Sequence, residues 1–383
     1  MHVFVSAGEP SGDLHGSNLI RAIRDRVPGA RIAAFGGDRM AAAGADLLYP
    51  LTRLAVMWFG RALVNLPTFF RAAKQAEDYF RTERPDAVVL IDYPGFHWHI
   101  AKRARRAGIP VYYFVPPQLW AWAGWRVNKM RRTVDTVLTA LPFEDGWYQA
   151  RGVNTRYVGH PYFDELARQT PDPDFLASYR QAGRPIVALL PGSRTQEVTG
   201  NFPLIAATAR RVVAARPDVR LLVAAFNEPQ ASAAKQMLAS AGVAADVHVG
   251  RTPEIIELAD AGVAVSGSVG LELMYRLTPT VVVYRLSPFA VRVGRFFMKC
   301  QYISLVNLLA GAELFPEYLT DRDESAAMAG HVLGWLNDPA ARRARVAELR
   351  ALRDRVAVPG ACGRAADAVT GRTTTGGAIP NAA

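Results

Sequence analysis

Residues 3–16 read Val3-Phe4-Val5-Ser6-Ala7-Gly8-Glu9-Pro10-Ser11-Gly12-Asp13-Leu14-His15-Gly16. A short β-rich apolar run enters a glycine-rich turn that opens a helix, the pattern of a first βα junction in an open parallel sheet. Such a turn lets backbone approach a ligand at the sheet edge where α/β folds bind. It is not GxGxxG, and Glu9 and Asp13 would repel a dinucleotide pyrophosphate. Gly8, Glu9, Ser11, Gly12 and Asp13 are therefore read as lining a cleft for a sugar, a hydroxyl-bearing acceptor or a closing interface. The plainer alternative is a tight turn with Ser11 or Asp13 as helix N-cap.

Outward from this junction, apolar β-rich runs alternate with helical segments. Strands are expected over 3–7, 31–35, 87–91, 111–115, 136–140 and 155–158, then over 186–190, 221–225, 246–249, 263–266 and 280–284. Helices are expected between most of them, including 203–216, 228–241, 253–259 and 270–277. The fold class is thus α/β, with two Rossmann-like domains. Residues 1–167 form the first and 185–320 the second. The polar, Pro-bearing stretch 168–184 reads as a linker, 321–370 as C-terminal helices and 371–383 as a disordered tail.

The 383 residues are half hydrophobic, which excludes disorder for the bulk of the chain. Lys and Arg number 45 against 34 Asp and Glu, a net charge of +11, so polyanions are expected partners: nucleic acid, anionic membrane or phosphorylated substrates. Two cysteines, Cys300 and Cys362, without CxxC spacing, indicate neither a disulfide framework nor a cysteine zinc site. The N-terminus has no basic n-region and only a brief apolar run, which argues against a signal peptide. The uncharged stretch 107–125 carries Pro110, Pro116, Pro117 and Gly124, so it reads as a strand and loop rather than a membrane span.

Three further strand ends could carry chemistry. Residues 87–91 run into Asp92-Tyr93-Pro94-Gly95-Phe96-His97, which puts the Asp92 carboxylate on the active edge as a general base for a hydroxyl, or else as a turn residue ahead of Pro94. His97 and His99 lack a third ligand, so no metal is expected. Strand 186–190 ends in Pro191-Gly192-Ser193-Arg194, followed by Glu197; small residues and a guanidinium fork suit a diphosphate, or form a helix cap with a solvated arginine. Strand 263–266 leads into Ser266-Gly267-Ser268-Val269-Gly270-Leu271-Glu272, whose helix N-terminus can hold an anion while Glu272 accepts from a ribose diol or simply balances the helix. Two segments mix basic and aromatic residues at helical spacing, as an interfacial helix does: Trp58, Phe59, Phe69 and Phe70 among Arg53, Arg61 and Arg71, and Phe296 and Phe297 with Arg292 and Arg295. The alternative for each is a core-packed helix with a solvated basic face.

Taken together, SAGEPSGDLHG at 6–16, LAVM at 54–57, LIDYPGF at 90–96, PPQLWAW at 116–122, LPFE at 141–144, VGHP at 158–161, LLPGSR at 189–194, SGSVGLE at 266–272 and YISLVNLLAG at 302–311 resemble the lipid-A-disaccharide synthase family. The ordered set spans the chain to about residue 319. The resemblance implies the GT-B architecture, two Rossmann-like domains facing a cleft. It implies inverting transfer of 2,3-diacylglucosamine from UDP to the 6-hydroxyl of 2,3-diacylglucosamine 1-phosphate, without metal or cofactor, at the cytoplasmic face of the inner membrane. Asp92 inherits the role of base. Gly192, Ser193, Arg194, Glu197, Ser266, Gly267, Ser268 and Glu272 inherit UDP contacts, and His160 joins the cleft residues. The chain departs from the family pattern at Trp58-Phe59-Gly60-Arg61, Val306 and Ala312. A homodimer and an anionic membrane surface are further expected partners; nucleic acid is not, because basic residues are dispersed and no reading motif is present. The competing readings are a GT-B enzyme with another lipid acceptor, a UDP-N-acetylglucosamine 2-epimerase and, remotely, a basic nucleic-acid-binding protein.

Overall fold

The computed structural model describes residues 1–52, 66–289 and 300–372. They fall into two units, Met1–Ala167 together with the chain from Val358 onward, and Arg168–Ala357.

The first unit is built on seven parallel strands: β1 (His2–Ala7), β2 (Arg31–Phe35), β3 (Asp46–Tyr49), β4 (Ala87–Ile91), β5 (Val111–Phe114), β6 (Thr136–Thr139) and β7 (Thr155–Tyr157), in the order β3-β2-β1-β4-β5-β6-β7. Strand periodicity sorts the side chains. Val3, Val5 and Ala7 pack with Leu19 and Ile20 on one face, and Phe4 packs with Phe35, Phe80 and Val88 on the other. Both faces are covered, which is why the central strands read as near-continuous apolar runs. Strand order reverses between β1 and β4, where Ala7 pairs with Ile91. The turns that follow these strands emerge side by side. Gly8 needs to be glycine there, because a Cβ would lie 2.2 Å from the Tyr93 ring.

The second unit repeats the scheme with β8 (Ile186–Leu190), β9 (Arg220–Ala225), β10 (Asp246–Val249), β11 (Ala261–Val265), β12 (Thr280–Arg285) and β13 (Glu317–Thr320), in the order β10-β9-β8-β11-β12-β13. Here the reversal lies between β8 and β11, with Leu190 beside Ala264.

Several boundaries differ from the sequence expectation. The edge strands β3 and β13 were not foreseen; each has four residues, begins with an acid and is largely half-buried, so neither shows an apolar run. The stretch expected as a linker contains the helix Pro173–Arg180, capped by Asp172, with Leu176 and Tyr179 buried in the second unit. The helix expected over 203–216 starts earlier, as Thr195–Ala215 with Pro203 inside it. The C-terminal helices do not stay together. Ser325–Asn337 places Met328, Val332 and Trp335 in the core of the second unit, whereas Ala361–Thr370 buries Ala365, Ala366 and Val369 in the first. Residues 373–383, the expected disordered tail, lie outside the described residues.

That last helix is tied down by charge. The Asp164 carboxylate accepts from the amides of Gly360 (2.5 Å), Ala361 (3.0 Å) and Cys362 (2.8 Å), filling the orphan donors of the helix start, and Arg26 pairs with Asp367. Asp164→Ala is expected to lower stability by about 2 kcal/mol, the upper end for a lost N-terminal cap, read by chemical denaturation. An unchanged midpoint would mean that the helix is held by apolar packing alone.

Candidate active site

In the first unit, Asp92 is half-buried at the carboxyl end of β4. Asp92 (φ 48°) and Tyr93 (φ 50°) are both left-handed, and so is the β-branched Val115 (φ 52°) just past β5. Such residues cost roughly 1–3 kcal/mol each, and persist where the surroundings over-determine them. The Asp92 carbonyl accepts from His97 Nδ1 at 2.6 Å and from the Tyr113 hydroxyl at 2.7 Å. His97, considered in the sequence as half of a metal pair lacking a third ligand, is thus part of this turn. Ser6 and Tyr113 were not singled out at all.

The neighbouring turn has two roles. Gly8 and Glu9 face Tyr93, whose phenol is raised by burial and secondarily by the Glu9 charge. Gly12 packs the helix start against Ala7 and Ile91, and Ser11 is exposed. Asp13, by contrast, is buried, and its carboxylate accepts from the amides of Gly37 (2.8 Å), Arg39 (3.1 Å) and Met40 (3.2 Å). It caps the next βα turn. His160 stacks edge-on to His15 at 6.0 Å and accepts from the Tyr162 amide at 3.2 Å; Nδ1 of His15 is buried with no partner.

In the second unit, Gly192 (φ 98°) turns the chain out of β8, and a Cβ there would lie 2.7 Å from the Glu197 carboxylate. Glu197 accepts from the Arg194 amide at 3.2 Å and pairs with its guanidinium at 3.1 Å, so its carboxylate shapes the loop. Ser193 and Arg194 are exposed at the sheet edge. Gln230, missed in the sequence because it lies in the first turn of the helix Glu228–Ser240, donates to the Ser193 carbonyl at 2.7 Å, while its own amide oxygen is buried without a partner. On the adjacent loop, Ser266 donates to the Ile303 carbonyl at 3.1 Å, and Gly267 and Ser268 are exposed. Glu272 is buried and pairs with Arg276 at 3.1 Å, which also reaches Glu257. A carboxylate already held by a guanidinium is committed in part to structure.

Of the expected membrane-facing residues, Phe69 is partly buried against Phe96, whereas Phe70 is 58% exposed. Trp58, Phe59, Arg292, Arg295, Phe296 and Phe297 lie outside the described residues. A different aromatic surface is present in the short helical turns Leu119–Trp122 and Gly124–Arg126 that follow β5. Trp122 and Trp125 are 54% and 67% exposed, with the Arg126 guanidinium over both rings at 4.9 and 5.1 Å. Beneath them Trp120 donates to buried Glu144 at 3.0 Å. No helix among the described residues is long and apolar enough to cross a membrane, and no described cluster of three His, Cys, Asp or Glu could hold a metal ion.

Two doubly wound parallel sheets, each with loops of functional composition at its switch point, are the two Rossmann-like domains of the GT-B fold class. Solved structures agree on the fold: the Staphylococcus aureus MnaA–UDP co-structure has a TM-score of 0.69 at 11% identity over 96% of both chains, and a putative UDP-N-acetylglucosamine 2-epimerase from Listeria monocytogenes has 0.64 at 12% identity over 96% of this chain and 94% of that one. The sequence relatives are more specific. A family model described as lipid-A-disaccharide synthetase matches residues 3–356. Lipid-A-disaccharide synthases of Myxococcus xanthus and Alkalilimnicola ehrlichii are 35% and 38% identical to the chain, covering 96% of it and 96% and 98% of their own lengths. The chain belongs to the lipid-A-disaccharide synthetase family, and is a glycosyltransferase of lipid A biosynthesis.

Burial makes the first unit sensitive to acid. Desolvation pushes His15 down to about 3 and His97 and His160 down to about 4, and raises Glu144 to about 7. The unfolded chain takes up the three histidine protons near pH 6.5, so stability falls as pH drops from there toward 4; Glu144, protonated early in the folded state, offsets one of them. The net is about 3 kcal/mol per pH unit. The thermal midpoint is expected to drop steeply between pH 7 and pH 5, and a flat profile would contradict this burial.

Proposed function

We propose that the first unit activates the acceptor and the second holds the donor in the reaction of this family. The donor is UDP-2,3-diacylglucosamine and the acceptor 2,3-diacylglucosamine 1-phosphate. Asp92 takes the proton of the acceptor 6-hydroxyl. The oxygen attacks the anomeric carbon, the bond from that carbon to the UDP oxygen breaks with inversion, and UDP leaves. The observation that carries this reading is the position of Asp92, at the carboxyl end of a central parallel strand and directly beside the first βα turn, where open α/β sheets bring ligands to catalytic groups. Arg194, Ser193 and the amides of the 266–268 turn receive the charge that develops on the diphosphate. UDP in the S. aureus MnaA structure and UDP-glucose in that of Anabaena HepE, proteins of the same fold, support a UDP-sugar donor. Asp92→Asn is expected to lower kcat roughly 10²–10⁴-fold with UDP affinity retained. Arg194→Ala should weaken UDP by about 1.5–3 kcal/mol in a calorimetric titration. UDP affinity lost equally in both would sink the division of labour.

The acyl chains of both substrates favour action at a membrane surface, because each CH₂ exposed to water costs roughly 0.8 kcal/mol. The chain is accordingly read as peripheral on the cytoplasmic face of the inner membrane. Trp122, Trp125 and Phe70 supply apolar area, and Arg126, Lys129, Arg131 and Arg132 supply charge with no acid between residues 107 and 134. Pairing Trp122→Ala with Trp125→Ala should cut sedimentation with anionic phosphatidylglycerol vesicles roughly tenfold. Unchanged binding would place the membrane contact elsewhere.

A further inference from the structure

Among the described residues, three of the five non-glycine positions with positive φ, Asp92, Tyr93 and Val115, stand at the carboxyl ends of the paired strands β4 and β5. Two buried polar groups from separate segments converge on one atom there, and a third backs one of them. His97, one turn into the helix Pro94–Arg106, and Tyr113, from β5, both donate to the Asp92 carbonyl oxygen. Ser6 of β1 sits 2.9 Å from Nε2 of His97. Ser6, His97 and Tyr113 are each 0% exposed.

The donor directions are fixed by chemistry. A carbonyl only accepts, so Nδ1 of His97 carries the proton and Nε2 accepts from the Ser6 hydroxyl. Burial lowers His97 to about 4, which keeps this neutral tautomer in place at neutral pH. A carbonyl oxygen has two lone-pair sites, and here both are taken. The peptide joining Asp92 to Tyr93 therefore cannot rotate without leaving two buried donors unpaired, and it lies between two consecutive left-handed residues.

We propose that Ser6, His97 and Tyr113 form a clamp on the Asp92 peptide and act as positioning residues, setting the backbone from which the Asp92 carboxylate reaches the acceptor hydroxyl. The proposal rests on the reading of Asp92 as the base. The hydrogen bonds of His97 and Tyr113 go to the backbone carbonyl of Asp92 and act through orientation, so their loss falls on the chemical step rather than on substrate binding.

Steady-state kinetics of Tyr113→Phe, His97→Leu, His97→Asn and Asp92→Asn test it, with thermal melts and UDP titration confirming that each variant is folded. Tyr113→Phe, which deletes one oxygen, is expected to lower kcat roughly tenfold with KM for both substrates within about twofold. His97→Leu should do the same, and His97→Asn, which keeps an N–H near the Nδ1 position, should recover most of the loss. A folded Tyr113→Phe with the parent kcat, or a His97→Asn no better than His97→Leu, alongside an inactive Asp92→Asn, would overturn the clamp and leave the base standing. A fully active Asp92→Asn would overturn the base and the clamp together.

Discussion

The structure depends on where strand order turns back within each sheet. In a parallel sheet wound both ways from its centre, the two central strands send their connections to opposite faces, and the turns after them open a crevice. Here β1 lies beside β4 with Ala7 at the level of Ile91, and β8 beside β11 with Leu190 at the level of Ala264. This register brings the 8–13 turn next to Asp92 in one unit, and the 191–194 turn next to 266–268 in the other. A slip along β1 or β8 would separate them. The apolar sequence of these strands, buried on both faces, is what holds the register.

Several carboxylates near these turns serve the backbone. Asp13 satisfies three amides of the second βα turn, Asp164 three at the start of the last helix, and Glu317 the amides of Ile303 and Ser304. Glu197 shapes the loop that presents Arg194. Asp13, Asp164 and Glu317 fill donors that burial would otherwise leave orphaned, at about 1–3 kcal/mol apiece. Asp92 differs: it offers its backbone carbonyl to buried donors in a strained turn, the kind of over-determined geometry found at functional sites.

Much of this was legible in the sequence. Most of the eleven expected strands stand out because buried parallel strands are apolar throughout, with Thr155–Tyr157 and Asp246–Val249 the weaker, half-buried exceptions, and Asp92, Gly192 and Arg194 stand out because each follows such a run. What was hidden has physical causes. Edge strands β3 and β13 bury too little to show a pattern. The membership of the last helix in the first unit is set by Asp164, some 200 residues earlier, a contact no local reading reveals. Asp13 and Glu197 look like ligand groups because a cap and an anion-binding turn use the same residue types. Ser6, Tyr113 and Gln230 lie in ordinary strand or helix positions, and only the three-dimensional register gives them partners. The exposed Trp122 and Trp125 were absorbed into an uncharged stretch read as strand and loop, since periodicity cannot tell an inward indole from an outward one.

The central claim is that this chain joins two diacylated glucosamines with its own side chains at these switch-point turns. The most direct measurement mixes the protein with UDP-2,3-diacylglucosamine and 2,3-diacylglucosamine 1-phosphate in detergent with a metal chelator, and follows the product by mass spectrometry and by proton NMR at the new anomeric position. The account predicts one UDP released per β-1,6-linked disaccharide 1-phosphate. UDP release without disaccharide, or an α-linked product, would contradict it.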